Sequence, residues 1–396
     1  MKVLIFSAFD PIPSDNISPI RYAHLAEEFL KNGHEVEYIT SYFFHLKKTY
    51  RFAKEWSEEG TPHELKLTKI ATPPYKKHVG LRRLYSHYIL ARNLKAYLRK
   101  ISPADEPALI ISAYPPIWAN FYLAKWAKSK KIPYIVDVQD LWPFNFTQFL
   151  PVGNSLILSP LKKRFQYIIS NALAIAPVSG DYLRYIPQKY LKKPNRVFRL
   201  GIECELFPEI KPKNGRNKNF ELLYIGTGST NKLLPKAISA LSNQQGIRLH
   251  IIGLREYAYE IEKYLEEHNI KNIKITPWLN QQELKEEAVK YDAALLLVNP
   301  SSLIYFPNKA FAYFAAGLPV VSNIKGGELE EIIAENNFGI TIKNNTEEDI
   351  RLAVNDLKQR KDIADRVRIQ EFARKNFDSE TIYREYYKWA MQVFNS

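Results

Sequence analysis

Twelve short runs rich in apolar and β-branched residues, with helical periodicity between many of them, limit the fold of this chain more than any other feature. Six lie in the first half: Lys2 to Phe6, Val36 to Thr40, Leu109 to Ser112, Tyr134 to Val138, Ala172 to Val178 and Arg196 to Leu200. Six follow in the second: Phe220 to Gly226, Arg248 to Gly253, Asn272 to Ile275, Ala293 to Val298, Pro319 to Ser322 and Gly339 to Ile342. Helical spacing appears from Ile20 to Asn32 and Ile117 to Ser129, then near Lys232 to Leu241, Glu256 to Glu267, Gln281 to Tyr291, Asn308 to Ala316 and Glu328 to Glu335. Strands that are apolar throughout and alternate with helices belong to parallel sheets covered on both faces. The expected fold class is therefore α/β, with two doubly wound domains, residues 1–205 and 206–378, joined through the polar stretch Gly201 to Lys218. Ile382, Tyr386, Trp389, Ala390 and Val393 repeat at helical spacing, so a last helix over 379–396 is expected to pack back on the first domain.

Charge divides the chain differently from hydrophobicity. The net charge is +14, yet residues 1–200 hold 30 basic and 15 acidic side chains and residues 201–396 hold 26 and 27. All the excess is in the first half, which points there to a polyanionic partner, either nucleic acid or an anionic membrane surface. No recognition helix or aromatic-basic RNA pattern accompanies it, which argues against nucleic acid. No apolar run reaches eighteen residues and the first strand begins at once, so a protein neither secreted nor membrane-spanning is expected, in the cytoplasm. The lone Cys204 excludes an internal disulfide and reads as apolar filler. The eight histidines lack metal-ligand spacing, and nucleophile-elbow and phosphate-loop patterns are absent, which disfavours metal, hydrolase and ATPase readings.

Ligands of open parallel sheets bind beyond the carboxyl ends of the strands, where helix N-termini offer free N–H groups. Four such loops are informative. The first, Ser7 to Ser18, lacks dinucleotide-fingerprint glycines, and its Ser14, Asp15 and the following Arg21 suit a sugar or a diphosphate; an ordinary polar loop with Ser18 as helix cap is the alternative. The second, Asp137-Val138-Gln139-Asp140-Leu141-Trp142-Pro143, ends a buried strand in carboxylates. Alternation puts Asp137 inside the strand, engaged with backbone, and Asp140 past its end as a general base for an acceptor hydroxyl, with Trp142 to stack on a sugar ring; capping of the next turn is the alternative. The third is Gly226-Thr227-Gly228-Ser229-Thr230-Asn231-Lys232, with Lys236 one turn on; small residues admit a phosphate and lysine supplies a point charge, though a structural turn explains them equally. The fourth, Tyr305 to Val321, starts a helix after Pro307 with Asn308 and Lys309 exposed at its mouth, a natural seat for a diphosphate.

In this order on two halves, these loops make the chain similar to the GT-B glycosyltransferases, and in particular to the family 4 polysaccharide enzymes of colanic-acid and O-antigen type. His24-Leu25-Ala26 to Gly33-His34-Glu35-Val36, Ser112 to Pro116, Asp137 to Pro143, Pro177-Val178-Ser179, Leu200-Gly201-Ile202 and Pro307 to Pro319 followed by Gly326-Gly327-Glu328 carry the resemblance. It implies two facing Rossmann-like domains with a cleft between them, a nucleotide-sugar donor, UDP- or GDP-linked, on the C-terminal domain, and a lipid-linked glycan acceptor on the N-terminal one. Gly226, Thr227, Gly228, Lys232 and Lys236 would then face the donor diphosphate, Pro277 and Trp278 would flank its base, and Asn308 and Lys309 would hold its phosphates, without a bound metal or other cofactor. The family carries acids where this chain has Ala312 and Ile304, and an arginine where it has Thr227.

The expected activity is glycosyl transfer in bacterial capsule, lipopolysaccharide or exopolysaccharide synthesis. Two alternatives share the fold: a sugar-nucleotide 2-epimerase, which needs no acceptor, and a degenerate, non-catalytic binding partner. Leu81, Leu84, Tyr85, Tyr88, Ala91, Leu94 and Leu98 form a helical stripe flanked by Arg82, Arg83, Arg92, Lys95, Arg99 and Lys100, with Lys76 and Lys77 before it. Residues Lys76 to Lys100 therefore read as an interfacial helix on the inner face of the cytoplasmic membrane, or else as a helix packed on the core with solvated charges. Should Asp140 not be the base, His24 and Asp15 are next.

Overall fold

The computed structural model describes the chain except for residues 18–19, 58, 77–79, 146–156, 211–218, 228–231, 255–257, 301–302, 304–305 and 361–364. Gly228, Ile304, Lys77, Ser18 and residues 211–218 of the expected linker thus lie outside the described residues. The chain divides into two compact units, Met1–Leu200 with Glu380–Ser396, and Gly201–Ser379.

The first unit runs β1 (Lys2–Phe6), α1 (Arg21–Lys31), β2 (Glu35–Ser41), β3 (Phe43–Phe44), β4 (Thr49–Tyr50), β5 (Leu65–Ile70), α2 (Leu81–Leu98), β6 (Leu109–Tyr114), α3 (Ile117–Lys130), β7 (Tyr134–Val138), α4 (Ser159–Asn171) and β8 (Ala174–Pro177). Six of these strands form one parallel sheet in the order β5-β2-β1-β6-β7-β8, and β3 with β4 makes a small antiparallel hairpin. The second unit runs β9 (Phe220–Ile225), α5 (Leu234–Leu241), β10 (Ile247–Ile252), α6 (Ala258–Glu267), β11 (Ile273–Thr276), α7 (Gln281–Ala288), β12 (Ala293–Leu296), α8 (Asn308–Ala315), β13 (Val320–Ser322), α9 (Glu328–Asn336), β14 (Gly339–Thr341), α10 (Glu347–Gln359) and α11 (Arg366–Phe377). Its parallel sheet has the order β11-β10-β9-β12-β13-β14. Both sheets start centrally, wind outward on one side and then on the other, so each has a switch point, β1 beside β6 and β9 beside β12. The fold class is the expected one: two Rossmann-like doubly wound α/β units.

The final helix, α12 (Ser379–Asn395), supplies core to the first unit. Tyr386 stacks on Phe198 at 4.3 Å and 5° between planes, and Trp389, Ala390 and Val393 join the same apolar cluster as Val3, Ile5 and Leu25.

Local expectations fail in three places. Arg196 to Leu200 forms no strand; Asn195 alone makes an isolated bridge to Ile175, and Arg196 and Phe198 donate their N–H groups to Ile175 and Pro177 without building a ladder. Conversely β5 lies outside the expected strands. Its Leu-Lys-Leu-Thr-Lys-Ile sequence alternates because it is an edge strand with one wet face, while the expectation was drawn from continuously apolar runs. The α2 stripe is the third. Ser86, His87, Leu90, Ala91, Leu94 and Leu98 face the core, but Leu81 (84% exposed), Leu84, Tyr85 (59%) and Tyr88 face outward, so the apparent single stripe is two faces of one helix.

Candidate active site

In the second unit Gly226 and Thr227 follow β9, and Asn308 and Lys309 come after β12, the two strands of the switch point. The β9–β12 ladder ends at Leu223 and Ala294, although both strands continue, and the parting strands expose backbone groups between them. Tyr313, buried on α8, closes that gap: the Ile225 N–H donates to its hydroxyl at 2.8 Å, and the hydroxyl lies 3.3 Å from the Leu295 carbonyl it donates to. One phenol thus fixes where α8 begins relative to the mouth of the sheet. No sequence signal singles it out, because a tyrosine in an alanine-rich helix reads as core.

The α8 N-terminus is not capped by a side chain, and Pro307 precedes it in extended conformation. The N–H groups of its first turn are therefore available to an outside acceptor. Asn308 is exposed there, while Lys309 is partly buried. The Lys309 ammonium donates to the Leu297 carbonyl at 2.7 Å and lies 4.5 Å from the centre of the Tyr224 ring. Among the described residues no carboxylate pairs with it, and burial pushes it down to about 8. A cation held at a helix N-terminus, against the helix field and without a counter-ion, is a site prepared for an anion.

The neighbouring loops frame that position. Gly226, at φ +152°, continues the ladder through its N–H to Ile252, and Thr227 next to it is exposed. After β11, Pro277 and Trp278 follow, and the Trp278 indole is half exposed. It lies over Gly253, where an added Cβ would come within 2.5 Å of the ring, so the glycine at the end of β10 is what admits the indole to the sheet edge. Lys232 is exposed, whereas Lys236 donates to the Asn345 carbonyl at 2.7 Å. Ala312 is partly buried one turn into α8. His250 is tied to Tyr291 and to Thr276, with burial holding it down to about 4. Buried Cys204 is pushed up to about 12 by burial, consistent with filler.

In the first unit the structure separates the expected acceptor residues. The Arg21 guanidinium is wholly buried: its Nε and Nη2 donate to Asp137 Oδ2 at 3.1 and 2.8 Å and its Nη1 to the Arg199 carbonyl at 2.9 Å. Asp137 is therefore engaged with a guanidinium and not with backbone as expected, and Arg21 is a strut beneath the first loop with no open face. Asp15 is buried too, in a fork from Arg51 at 3.0–3.2 Å, and it accepts the Ile12 N–H at 2.9 Å. Ser14 holds the same loop through its N–H to Trp56. Trp142 does not present a sugar platform. It is 7% exposed, stacked on His87 at 5.4 Å with the Arg83 guanidinium 5.1 Å from its ring. His24 stacks on Tyr383.

Asp140 stands apart from these. It is partly buried, and its Oδ1 accepts the Leu141 N–H at 2.7 Å and the Asn145 side-chain amide. Burial raises its carboxyl above the usual range despite those bonds. Asp10, in the loop after β1, holds a comparable place. Its Oδ2 accepts the Tyr22 N–H at 3.1 Å at the start of α1, and burial pushes it up to about 7. The rule that selected Asp140, a carboxylate just past the carboxyl end of a strand, selects Asp10 after β1 as well. Burial holds His87 down to about 3, so it is a neutral imidazole packed with Phe9, Tyr75 and Trp142.

Residues 207–376, within the second unit, match the family model described as Glycosyl transferases group 1. No curated protein matches the chain by sequence. Among solved structures, the chain is similar over its whole length to sucrose-phosphate synthase from Thermosynechococcus elongatus, at 15% identity and a TM-score of 0.72, covering 99% of that chain. It is similar to the lipopolysaccharide outer core galactosyltransferase WaaB in its apo form, at 15% identity and 0.65, with 99% of each chain covered. Anabaena HepE in complex with UDP-glucose aligns at 14% identity and 0.62, again over 99% of each. At these identities the likeness shows the GT-B fold. No group of histidine, cysteine and carboxylate side chains that could hold a metal occurs among the described residues, and no described helix is long and apolar enough to cross a membrane.

Proposed function

We propose that the chain is a glycosyltransferase. Its second unit binds a nucleotide sugar, UDP- or GDP-linked, and its first unit binds a lipid-linked glycan acceptor of a bacterial surface polysaccharide. The observation that carries this reading is the α8 N-terminus: a partly buried lysine with no carboxylate partner among the described residues, and uncapped N–H groups, at the switch point of a sheet whose sequence matches a glycosyltransferase family. In this reading Lys309 and Asn308 hold the diphosphate, Gly226, Thr227 and Lys232 line it, and Trp278 faces the base with Pro277. Lys236 reaches the same edge only by releasing Asn345. Asp140 takes the proton of the acceptor hydroxyl, and no metal is needed because Lys309 and the helix field neutralise the departing diphosphate.

The test is turnover. Purified protein is incubated with labelled UDP-glucose, UDP-galactose or GDP-mannose, with and without a bacterial lipid-linked glycan extract. Nucleoside diphosphate release that requires the extract, with label in the lipid fraction, is expected. Tight nucleotide binding without turnover would make the chain a non-catalytic partner, and conversion of the sugar without any acceptor would make it an epimerase.

The reading extends to where the acceptor is met. Leu81, Leu84, Tyr85 and Tyr88 form an exposed apolar patch on α2 beside exposed Lys76, Arg82 and Arg92. Apolar side chains ringed by cations fit an anionic bilayer surface, where each lysine or arginine contributes about 1 kcal/mol. Co-sedimentation with liposomes is expected for anionic but not neutral lipid, to fall at high salt, and to be lost in Leu81→Ser/Tyr85→Ser. Equal binding to both lipids, or binding unchanged by salt, contradicts the membrane assignment.

A further inference from the structure

At the amino edge of the first sheet, away from every loop discussed above, the last turns of α2 and α3 enclose a groove of about 430 Å³. A hollow of that size falls in the range of small-ligand pockets, roughly 300–1,000 Å³. Both helices run antiparallel to the strands, so their C-terminal ends lie at the edge opposite Asp10 and Asp140. The groove is walled by Lys95 and Arg99 from α2, by Tyr122, Lys125, Trp126 and Lys130 from α3, and by no acidic side chain. Lys130 is paired with Glu106 at 2.5 Å. The other three cations have no carboxylate partner among the described residues; Lys95 lies 4.9 Å from the centre of the Tyr122 ring, and Lys125 5.1 Å from that of Phe121.

Cations at helix C-termini offset the helix dipole, which accounts for Lys130 in the last turn of α3, Lys95 in the last turn of α2 and Arg99 at its C-cap. It does not account for Lys125, a fourth cation around a hollow walled by no acidic side chain. Nor does it account for two partly exposed aromatic rings between them. Cations spaced along an aromatic floor match a ligand that alternates negative groups with apolar ring faces.

We propose that this groove is a second binding site, for an anionic oligosaccharide of two or three units, its carboxylate or phosphate groups on Lys95, Arg99 and Lys125 and a sugar ring on Trp126. The site is independent of the transfer reaction: it lies on the opposite edge of the sheet and uses none of the residues assigned to donor or acceptor. Its position suits retention of an anionic glycan at a distance from the reacting end.

Calorimetric titration with tetragalacturonate and with neutral maltotetraose tests it. Tetragalacturonate is expected to bind and maltotetraose not. Affinity should fall at least tenfold in Lys95→Gln/Arg99→Gln/Lys125→Gln and again in Trp126→Ala, with most of it restored in Trp126→Phe and UDP affinity unchanged in all. These side chains are at least partly exposed, and unchanged amide exchange of β6 and β7 confirms that the variants fold. Absence of tetragalacturonate binding, equal binding of both saccharides, or binding unchanged in the triple variant overturns the proposal. So does unchanged binding in Trp126→Ala, which would leave only a diffuse positive surface, and loss of UDP binding in the triple variant, which would make the groove a nucleotide site.

Discussion

Asp137→Asn is expected to destabilise the first unit by about 3–5 kcal/mol, the range for removing one partner of a buried ion pair. Burial raises the Asp137 carboxyl above its usual range although Arg21 opposes the shift, while Asp137 holds the Arg21 guanidinium above its own usual value against the cost of burial. What the pair secures is geometry: it joins the first turn of α1 to β7 and, through the Arg199 carbonyl, to the segment after β8, with Tyr383 and Tyr386 of α12 5.7 and 5.5 Å from the guanidinium. Asparagine leaves that guanidinium in the same apolar surroundings without its counter-charge. Hydrogen exchange read by mass spectrometry resolves the two units; β1, β7 and α12 should lose protection while β9 and β12 keep theirs. Pairing Asp137→Leu with Arg21→Met removes both charges and should recover most of the loss. Equal loosening of both units, or no recovery in the double variant, would refute this role.

Asp140→Asn is expected to lower kcat about 10²- to 10⁴-fold, the usual cost of a lost general base, with donor affinity unchanged because Asp140 belongs to the other unit. Its carboxyl, raised by burial, is a better proton acceptor than a solvated one, and the Leu141 N–H and Asn145 amide fix its Oδ1. Since the base acts ionised, kcat in the wild type should rise with pH along a limb lying above the usual carboxylate value, and that limb should vanish in the variant. Should the enzyme retain configuration, the loss moves to the acceptor KM. Wild-type kinetics for both substrates would reject Asp140. The next candidate would be Asp10, carried up to about 7, in place of Asp15, which is bound to Arg51, or His24, which is stacked on Tyr383.

The contrast between these residues shows what can be read from sequence. Buried parallel strands must be apolar on both faces, so runs such as Leu109 to Ser112 and Ala293 to Val298 announce themselves, and with them the fold class. An edge strand such as β5 obeys a different rule and is missed by a search for continuous runs. Loops at strand ends can also be located, since position follows from topology. Which of their side chains faces a ligand cannot. Arg21 and Asp137 lie 116 residues apart and meet inside the core, and Trp142, the obvious sugar platform, is taken by His87. For Lys309, the proposed diphosphate ligand, the supporting feature, a place against Tyr224 with no carboxylate partner among the described residues, exists only in three dimensions.

The most direct test of the central assignment, a donor diphosphate on the α8 N-terminus, is the pH dependence of UDP and GDP affinity in the wild type and in Lys309→Ala. Above pH 7 the terminal phosphate, with a second pKa of about 6, is already ionised, so any further dependence belongs to the protein. The Lys309 ammonium, near 8 when free, must be charged to hold the ligand, and a bound diphosphate raises its pKa. At pH 7 it is already mostly protonated; above 8 each binding event must draw a proton from the buffer. Affinity for at least one of the two nucleotides is therefore predicted to fall by up to about tenfold per pH unit above 8, with close to one proton taken up at pH 9. In Lys309→Ala binding should be weaker at pH 7 by about 1.5–3 kcal/mol, the range for hydrogen bonds to charged groups, and flat between pH 7 and 9.5. Failure of both nucleotides to bind the wild type, or equal affinity and equal pH dependence in both proteins, would contradict the assignment.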